Sequence, residues 1–126
     1  MTGIEEAGTS AVRLGKAIGI EHPLVVLVAE DDEEMLDLVR RVLTDEGYQV
    51  VGARNGNEAL ARINSGGFDL IVSDVRMPGP DGMDILRGAM ARQLDQPVIL
   101  MTAFGTIEFA VQAMREGAYY YITKPF

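Results

Sequence analysis

Five short apolar runs alternate with longer amphipathic segments along this chain. The runs lack the in-and-out alternation of a sheet that faces water on one side, so they read as strands buried on both faces. Such strands are typical of parallel sheets whose crossover helices cover both faces. The predicted strands are residues 24–29, 48–53, 70–73, 98–101 and 119–122.

The segments between the predicted strands carry helix signals. An Asp opens the first helix, and Gly47 and Gly117 follow the ends of the first and last helices. The loop at 77–82 is too rich in Pro and Gly to be regular. The predicted helices are 33–46, a short helix after the turn at 55–57, 83–93 and 106–116. Five strands with four crossovers predict an α/β fold with a doubly wound, five-stranded parallel sheet.

Length, charge and composition exclude several classes of protein. A chain of 126 residues is long enough for one core, which predicts a single domain. The absence of cysteine excludes disulfides and thiol catalysis, and it fits a cytoplasmic protein. A net charge of -8 opposes direct nucleic-acid binding, and no apolar stretch approaches the roughly 20 residues that span a bilayer.

Polar side chains stand where the predicted strands end. Glu30 and Asp31 follow the first strand, Asp74 follows the third, Thr102 the fourth and Lys124 the fifth. In an open parallel sheet the carboxyl ends of the strands form the ligand crevice, so these carboxylates should meet around a hard cation. The combination of carboxylates, a hydroxyl and an ammonium predicts a metal-assisted phosphoryl acceptor.

Each of these residues also has a purely structural reading. Acidic residues at a helix start cap free N–H groups and meet the positive end of the helix dipole. An aspartate before a Pro- and Gly-rich loop is a common turn residue. Asp32 is expected to point away from the crevice, and we give it no ligand role.

Four segments together resemble, in order and spacing, the receiver domain of bacterial two-component response regulators. They are VAEDD at 28–32, SDVRMPGPDG at 73–82, MTA at 101–103 and TKPF at 123–126. The stretch from Thr102 to Tyr119 is most similar to receivers of NtrC-type transcription activators. The resemblance covers residues 24–126 as a receiver domain, and it leaves residues 1–23 as an N-terminal leader.

The resemblance implies a CheY-like, flavodoxin-like sheet with strand order 2-1-3-4-5 and Mg²⁺ as the cofactor. It makes Asp74 the acceptor of a phosphoryl group from a sensor histidine kinase, with Thr102 and Lys124 binding that group. It also implies a phosphorylation-regulated switch and not a turnover enzyme. This switch would assist its own phosphorylation and dephosphorylation. It would control an output that we expect to be transcription. The implied metal ligands are Glu30, Asp31, Asp74 and the backbone carbonyl of Arg76, and the implied switch residues are Thr102 and Tyr121.

The end of the chain raises a separate expectation. Receivers continue into a fifth helix that covers one sheet face, whereas this sequence stops at Phe126. We therefore expect apolar groups of the strands at 24–29, 70–73 and 119–122 to lie exposed unless something replaces that helix. The leader or a second copy of the chain could do so, and we favour self-association as a homodimer.

Three other functions share parts of this pattern. A flavodoxin-like module would need a phosphate-binding loop after the first strand, where this chain carries five acidic residues at 30–34. A haloacid-dehalogenase-type phosphatase would need an acid/base Asp two residues after its nucleophile, where Arg76 stands. The third alternative is a receiver-like interaction module that does not use phosphorylation.

Overall fold

The computed structural model describes residues 24–92, 96–103 and 107–124. The predicted leader at 1–23 lies outside these described residues. Within them, strands and helices alternate as the apolar pattern predicts. The elements are β1 (Val25–Ala29), α1 (Glu33–Asp45), β2 (Gln49–Ala53), α2 (Gly56–Ser65), β3 (Leu70–Asp74), α3 (Gly82–Ala91), β4 (Val98–Thr102), α4 (Ile107–Arg115) and β5 (Tyr120–Thr123).

The strands form one parallel sheet with β1 and β3 near its centre. Its strand order is β2-β1-β3-β4-β5, which confirms the predicted order 2-1-3-4-5. Val28 lies between Gly52 of β2 and Val72 of β3 in the register. Because all strands run the same way, every strand ends at the same edge, and the next residues along the chain gather there.

Two apolar cores lie on opposite faces of this sheet. Leu27, Ile71 and Leu100 share one buried cluster with residues of α2, α3 and α4. The neighbouring strand residues point to the other face and cluster with α1 residues such as Val39 and Leu43. None of the helices in the described ranges combines the length and apolar content needed to cross a bilayer.

The second face is better covered than the sequence led us to expect. We expect apolar strand residues to lie exposed there unless something replaces the fifth helix, and in the described strands these residues are buried. Val28, Val72, Ile99, Met101 and Ile122 are at most 5% exposed within the single chain. They belong to the cluster that also contains α1 and the rings of Tyr48 and Tyr120, so this face needs no second copy to remove it from water.

Several element boundaries differ from the predicted ones. Asp74 is the last residue of β3, because the pairing with β4 extends one residue further, to Met101. β5 begins at Tyr120 instead of Tyr119. The helix α3 begins earlier, at Gly82, because Asp81 and Asp84 form a reciprocal capping box at its start, and it ends at Ala91.

Asp32 supports the start of α1. Its carboxylate accepts hydrogen bonds from the N–H groups of Glu34 (2.9 Å) and Met35 (3.3 Å). Those bonds satisfy two of the N–H groups that every helix start leaves without an intrahelical partner. Within the acidic run after β1, Asp32 therefore caps the helix. It does not belong to the carboxylate cluster at the strand ends.

Candidate functional site

Three carboxylates meet at the carboxyl edge of the sheet. Ala29 pairs with Ser73 across β1 and β3, which brings the next residues, Glu30 and Asp74, side by side. One carboxylate oxygen from each of Glu30, Asp31 and Asp74 lies within 4.8 Å of the other two. Glu30 is 1% exposed and Asp74 is also buried, whereas Asp31 is open to solvent.

Lys124 supplies the counter-charge for the two buried carboxylates. Its Nζ lies 2.8 Å from Glu30 Oε1 and 3.2 Å from Asp74 Oδ2. The backbone N–H of Lys124 donates to the carbonyl of Thr102 at 2.7 Å, which fixes the lysine at the end of β4. The sequence placed Lys124 at this edge, but it gave no sign of the ion pair with Glu30.

Burial dominates the electrostatics of Glu30. Removal from water, followed by the hydrogen bond with Asp74, raises the pKa of the Glu30 carboxyl from 4.5 to about 8, against the lowering effect of Lys124. Burial alone would lower the pKa of Lys124, but its hydrogen bond to Glu30 and the charges of Asp74 and Glu30 raise it. In the absence of a further cation, the Glu30 carboxyl therefore keeps its proton through neutral pH.

The donor set fits a hard divalent cation. All three side chains offer carboxylate oxygens, which are the ligands that Mg²⁺ takes in proteins. Glu30 Oε2 is buried and accepts no hydrogen bond from the described residues, so a strong acceptor is left for a ligand. Arg76 lies in the loop just after β3, and its carbonyl stays a predicted fourth protein ligand.

Thr102 lies at the same edge, one strand away from Asp74. Asp74 pairs with Met101 in the register of β3 and β4, so Thr102 stands one residue further towards the site. Its side chain is buried, and it ends β4 directly beside Thr123 of β5. The structure thus brings together at one edge all the strand-end residues that the sequence singled out.

Tyr121 of β5 is partly buried and packs against the apolar cluster on the α4 side of the sheet. It pairs with Leu100 of β4, and its ring lies 5.8 Å from that of Phe109 between centroids, with a tilt of 40°. Its hydroxyl is buried without a hydrogen-bond partner among the described residues, and burial raises the pKa of Tyr121. Tyr120 packs on the opposite face, as strand alternation predicts.

Gly82 closes the loop behind Asp74, and sequence reasoning assigned it no role. Its N–H donates to the Val75 carbonyl at 2.9 Å. A Cβ atom at Gly82 would lie 2.5 Å from the Asp74 carbonyl oxygen and 2.8 Å from Val75 Cα. The available signal was an Asp-Gly pair immediately before a helix, because glycine there permits a close backbone approach.

Comparisons with known proteins agree on one family. A family model described as the response regulator receiver domain matches residues 26–126. The chain is similar to the transcriptional regulatory protein GlrR of Escherichia coli (41% identical over 103 residues) and to the DNA-binding transcriptional regulator NtrC of Salmonella typhimurium (39% over 102 residues). The alignments cover 82% and 81% of this chain but 23% and 22% of those relatives, so the chain spans less than a quarter of their length.

A solved structure gives the same result. The chain is similar to the response regulator protein TrrA from Thermotoga maritima in complex with Mg(2+)-BeF, with a TM-score of 0.74 and 31% sequence identity. The match covers 82% of this chain and 88% of that one.

The raised pKa of Glu30 predicts how stability depends on pH. The folded state holds its proton up to about pH 8, whereas the unfolded chain loses it near 4.5, so this group destabilises the metal-free fold increasingly as pH rises through that interval. In EDTA, Glu30→Gln should therefore melt several degrees higher than the parent at pH 8 and show little advantage at pH 4.5. Thermal melts at several pH values measure this difference.

Glu34→Gln is the matched control, because it removes an exposed carboxyl on α1. Its difference from the parent should stay small and nearly constant across the same pH range. If the melting temperature of Glu30→Gln changes with pH in the same way as that of Glu34→Gln, burial does not raise the pKa of Glu30 as described.

Proposed function

Because the chain belongs to the family of response regulator receiver domains, which act in two-component signalling, we propose that Asp74 accepts a phosphoryl group from a sensor histidine kinase. The observation that carries this proposal is the buried contact of Lys124 with both Glu30 and Asp74 beside the exposed Asp31. A lysine and three carboxylates at one sheet edge suit phosphoryl transfer, in which a protein mainly positions groups and stabilises charge.

Asp74 is the nucleophile in this proposal. One of its carboxylate oxygens forms the new bond to phosphorus, while the bond between phosphorus and the donor breaks and its electron pair stays on the donor. A carboxylate that is already ionised needs no general base for this attack. Its position at the end of β3, held by pairing with β4, puts it at the sheet edge next to Lys124.

Mg²⁺ is the cofactor that we propose for this site, held by Glu30, Asp31, Asp74 and the Arg76 carbonyl. When bound, it neutralises part of the repulsion between the attacking carboxylate and the phosphoryl oxygens. Glu30 contributes the buried oxygen that has no hydrogen-bond partner among the described residues. Asp31, being exposed, leaves room for the waters that Mg²⁺ usually keeps.

Lys124 and Thr102 are proposed to hold the transferred group. The ammonium of Lys124 lies 3.2 Å from Asp74 Oδ2, so a phosphoryl group on that carboxylate would lie within reach of the same charge. In this proposal the Thr102 hydroxyl donates to another phosphoryl oxygen. By these contacts the domain assists its own phosphorylation and dephosphorylation, and it acts as a signalling switch.

We further propose that the output is control of transcription. Relatives such as GlrR and NtrC are transcriptional regulators, and the net charge of -8 opposes direct contact between this domain and nucleic acid. The receiver would then act on an effector through protein contacts in the cytoplasm. The alternative remains a receiver-like interaction module that does not use phosphorylation; the buried Lys124 ion pairs, which suit a phosphoryl site, favour the phosphorylated form.

Asp74→Asn should abolish phosphorylation. With a small phosphodonor such as acetyl phosphate and Mg²⁺, the parent should gain the mass of one phosphoryl group, because the Asp74 carboxylate is the attacking nucleophile. EDTA should suppress the gain. Intact mass spectrometry measures both effects.

Asp32→Asn is the matched control, because asparagine caps a helix as well as aspartate does and the residue lies outside the carboxylate cluster. It should label like the parent. Equal labelling of Asp74→Asn and the parent would reject Asp74 as the acceptor, and an unlabelled parent would favour the interaction module.

The switch is proposed to run from Thr102 to Tyr121. Movement of the Thr102 side chain towards a phosphoryl group would change the space beside Tyr121, whose ring already packs on Phe109 of α4. The site and α4 would then be coupled as a shift between two arrangements.

Thr102→Ala should keep phosphorylation but lose most of its conformational readout, since the hydroxyl that senses the new oxygens is gone. The measurement is the set of amide shifts of residues 107–117 with and without phosphodonor. Shifts as large in the variant as in the parent would contradict this route.

Self-association is expected through α4 and the turn that follows it. Three apolar side chains in this region are 42–48% exposed: Val111, Met114 and Tyr119. A second copy of the chain could bury them. Met114→Glu should therefore weaken a concentration-dependent dimer seen by light scattering. Leu38→Glu on α1, also 41% exposed, is the control, and a parent that is monomeric at every concentration would contradict the expectation.

A further inference from the structure

The start of α2 presses against the loop that follows Asp74. A Cβ atom on Gly56, the first residue of α2, would overlap the carbonyl oxygen of Pro80. It would also lie 2.6 Å from the carbonyl carbon and 2.7 Å from the Cβ of Pro80. No real side chain makes such contacts, so the two backbones fit only because Gly56 has no side chain.

Space, and not backbone conformation, explains why glycine stands at this position. Gly56 is helical and does not belong to the glycines with positive φ among the described residues. Alanine is a better helix former than glycine, so the helix itself would gain from the substitution. The contact with Pro80 is what a methyl group would disrupt.

Pro80 belongs to the β3–α3 loop, residues 75–81, which is fixed at its other points. The N–H of Val75 donates to the Met101 carbonyl at 2.8 Å, and the N–H of Gly82 donates to the Val75 carbonyl at 2.9 Å. Asp81 caps α3 at the end of the loop. These bonds fix the two ends of the loop but do not involve Pro80. The contact with Gly56 is what restrains Pro80 itself.

We propose that Gly56 is a positioning residue that sets the metal affinity of the acidic site through Pro80 and the β3–α3 loop. A methyl group at position 56 would push Pro80 outwards, and a displacement of this short loop would shift the Arg76 backbone that stands between Asp74 and Pro80. The inference rests on the proposed function, because it assumes that the Arg76 carbonyl and the three carboxylates hold Mg²⁺.

Gly56→Ala tests the proposal, with Gly88→Ala as the matched control. Gly88 lies in α3, where a Cβ would approach only the flexible end of Leu60 in α2, at 3.0 Å. Both variants add one methyl group next to α2, but only the one at position 56 meets the backbone of the β3–α3 loop. Gly88→Ala should therefore bind Mg²⁺ like the parent.

Mg²⁺ titrations followed by amide shifts give the first readout. Gly56→Ala should bind Mg²⁺ about tenfold or more weakly, as is typical when a residue that orients metal ligands is changed. Its metal-free spectrum should already differ from the parent at residues 75–82. In phosphodonor assays the Mg²⁺ concentration for half-maximal rate should rise by a similar factor, while the rate at saturating Mg²⁺ stays close to the parent.

The outcomes separate this inference from the proposed function. A parent that binds no Mg²⁺ or is not labelled at Asp74 overturns the function and the inference with it. If the parent binds Mg²⁺ and is labelled at Asp74, and a folded Gly56→Ala variant has the same Mg²⁺ affinity as the parent, the inference is overturned and the function stands. If Gly56→Ala does not fold, Pro80→Gly decides instead. It frees the backbone of the loop residue whose carbonyl lies against Gly56, and unchanged Mg²⁺ affinity in that variant overturns the proposal.

Discussion

The ion pairs of Lys124 with Glu30 and Asp74 are the interactions on which this site depends. Two carboxylates and an ammonium are taken from water at one sheet edge, and the cost of removing a charge from water is repaid only where a partner is held close. Here the partner is fixed at 2.8 Å and 3.2 Å by a lysine whose own N–H is bonded to the end of β4. Glu30 keeps its proton up to about pH 8 in the absence of a further cation, so a divalent ion that binds all three carboxylates must displace this proton.

The parallel sheet makes this arrangement possible. Glu30 and Lys124 are 94 residues apart in the chain, yet each follows a strand that ends at the same edge. Because β3 pairs with β1 on one side and with β4 on the other, the position of Asp74 along the strand direction is fixed. The apolar clusters on both faces keep the strands in register, since a slip by one residue would turn every side chain to the wrong face.

Glycine contacts complete the site from outside the ring of charged residues. Gly82 lets the loop after β3 fold back onto Asp74, and Gly56 lets α2 approach the far side of the same loop. Neither residue carries a functional group. Their role is to let backbones approach where a methyl group would keep them apart.

The sequence by itself determined the order of strands and helices, because apolar runs and helix caps are local signals. It also predicted Glu30, Asp31, Asp74, Thr102 and Lys124 at strand ends, and it gave Asp32 no ligand role. The strand order followed from the resemblance to receivers. Only the tertiary structure decided that Lys124 pairs with Glu30, that the face covered by α1 is buried within one chain, and that Gly56 meets Pro80. Those facts depend on contacts between residues far apart in the chain, and local periodicity carries no information about them.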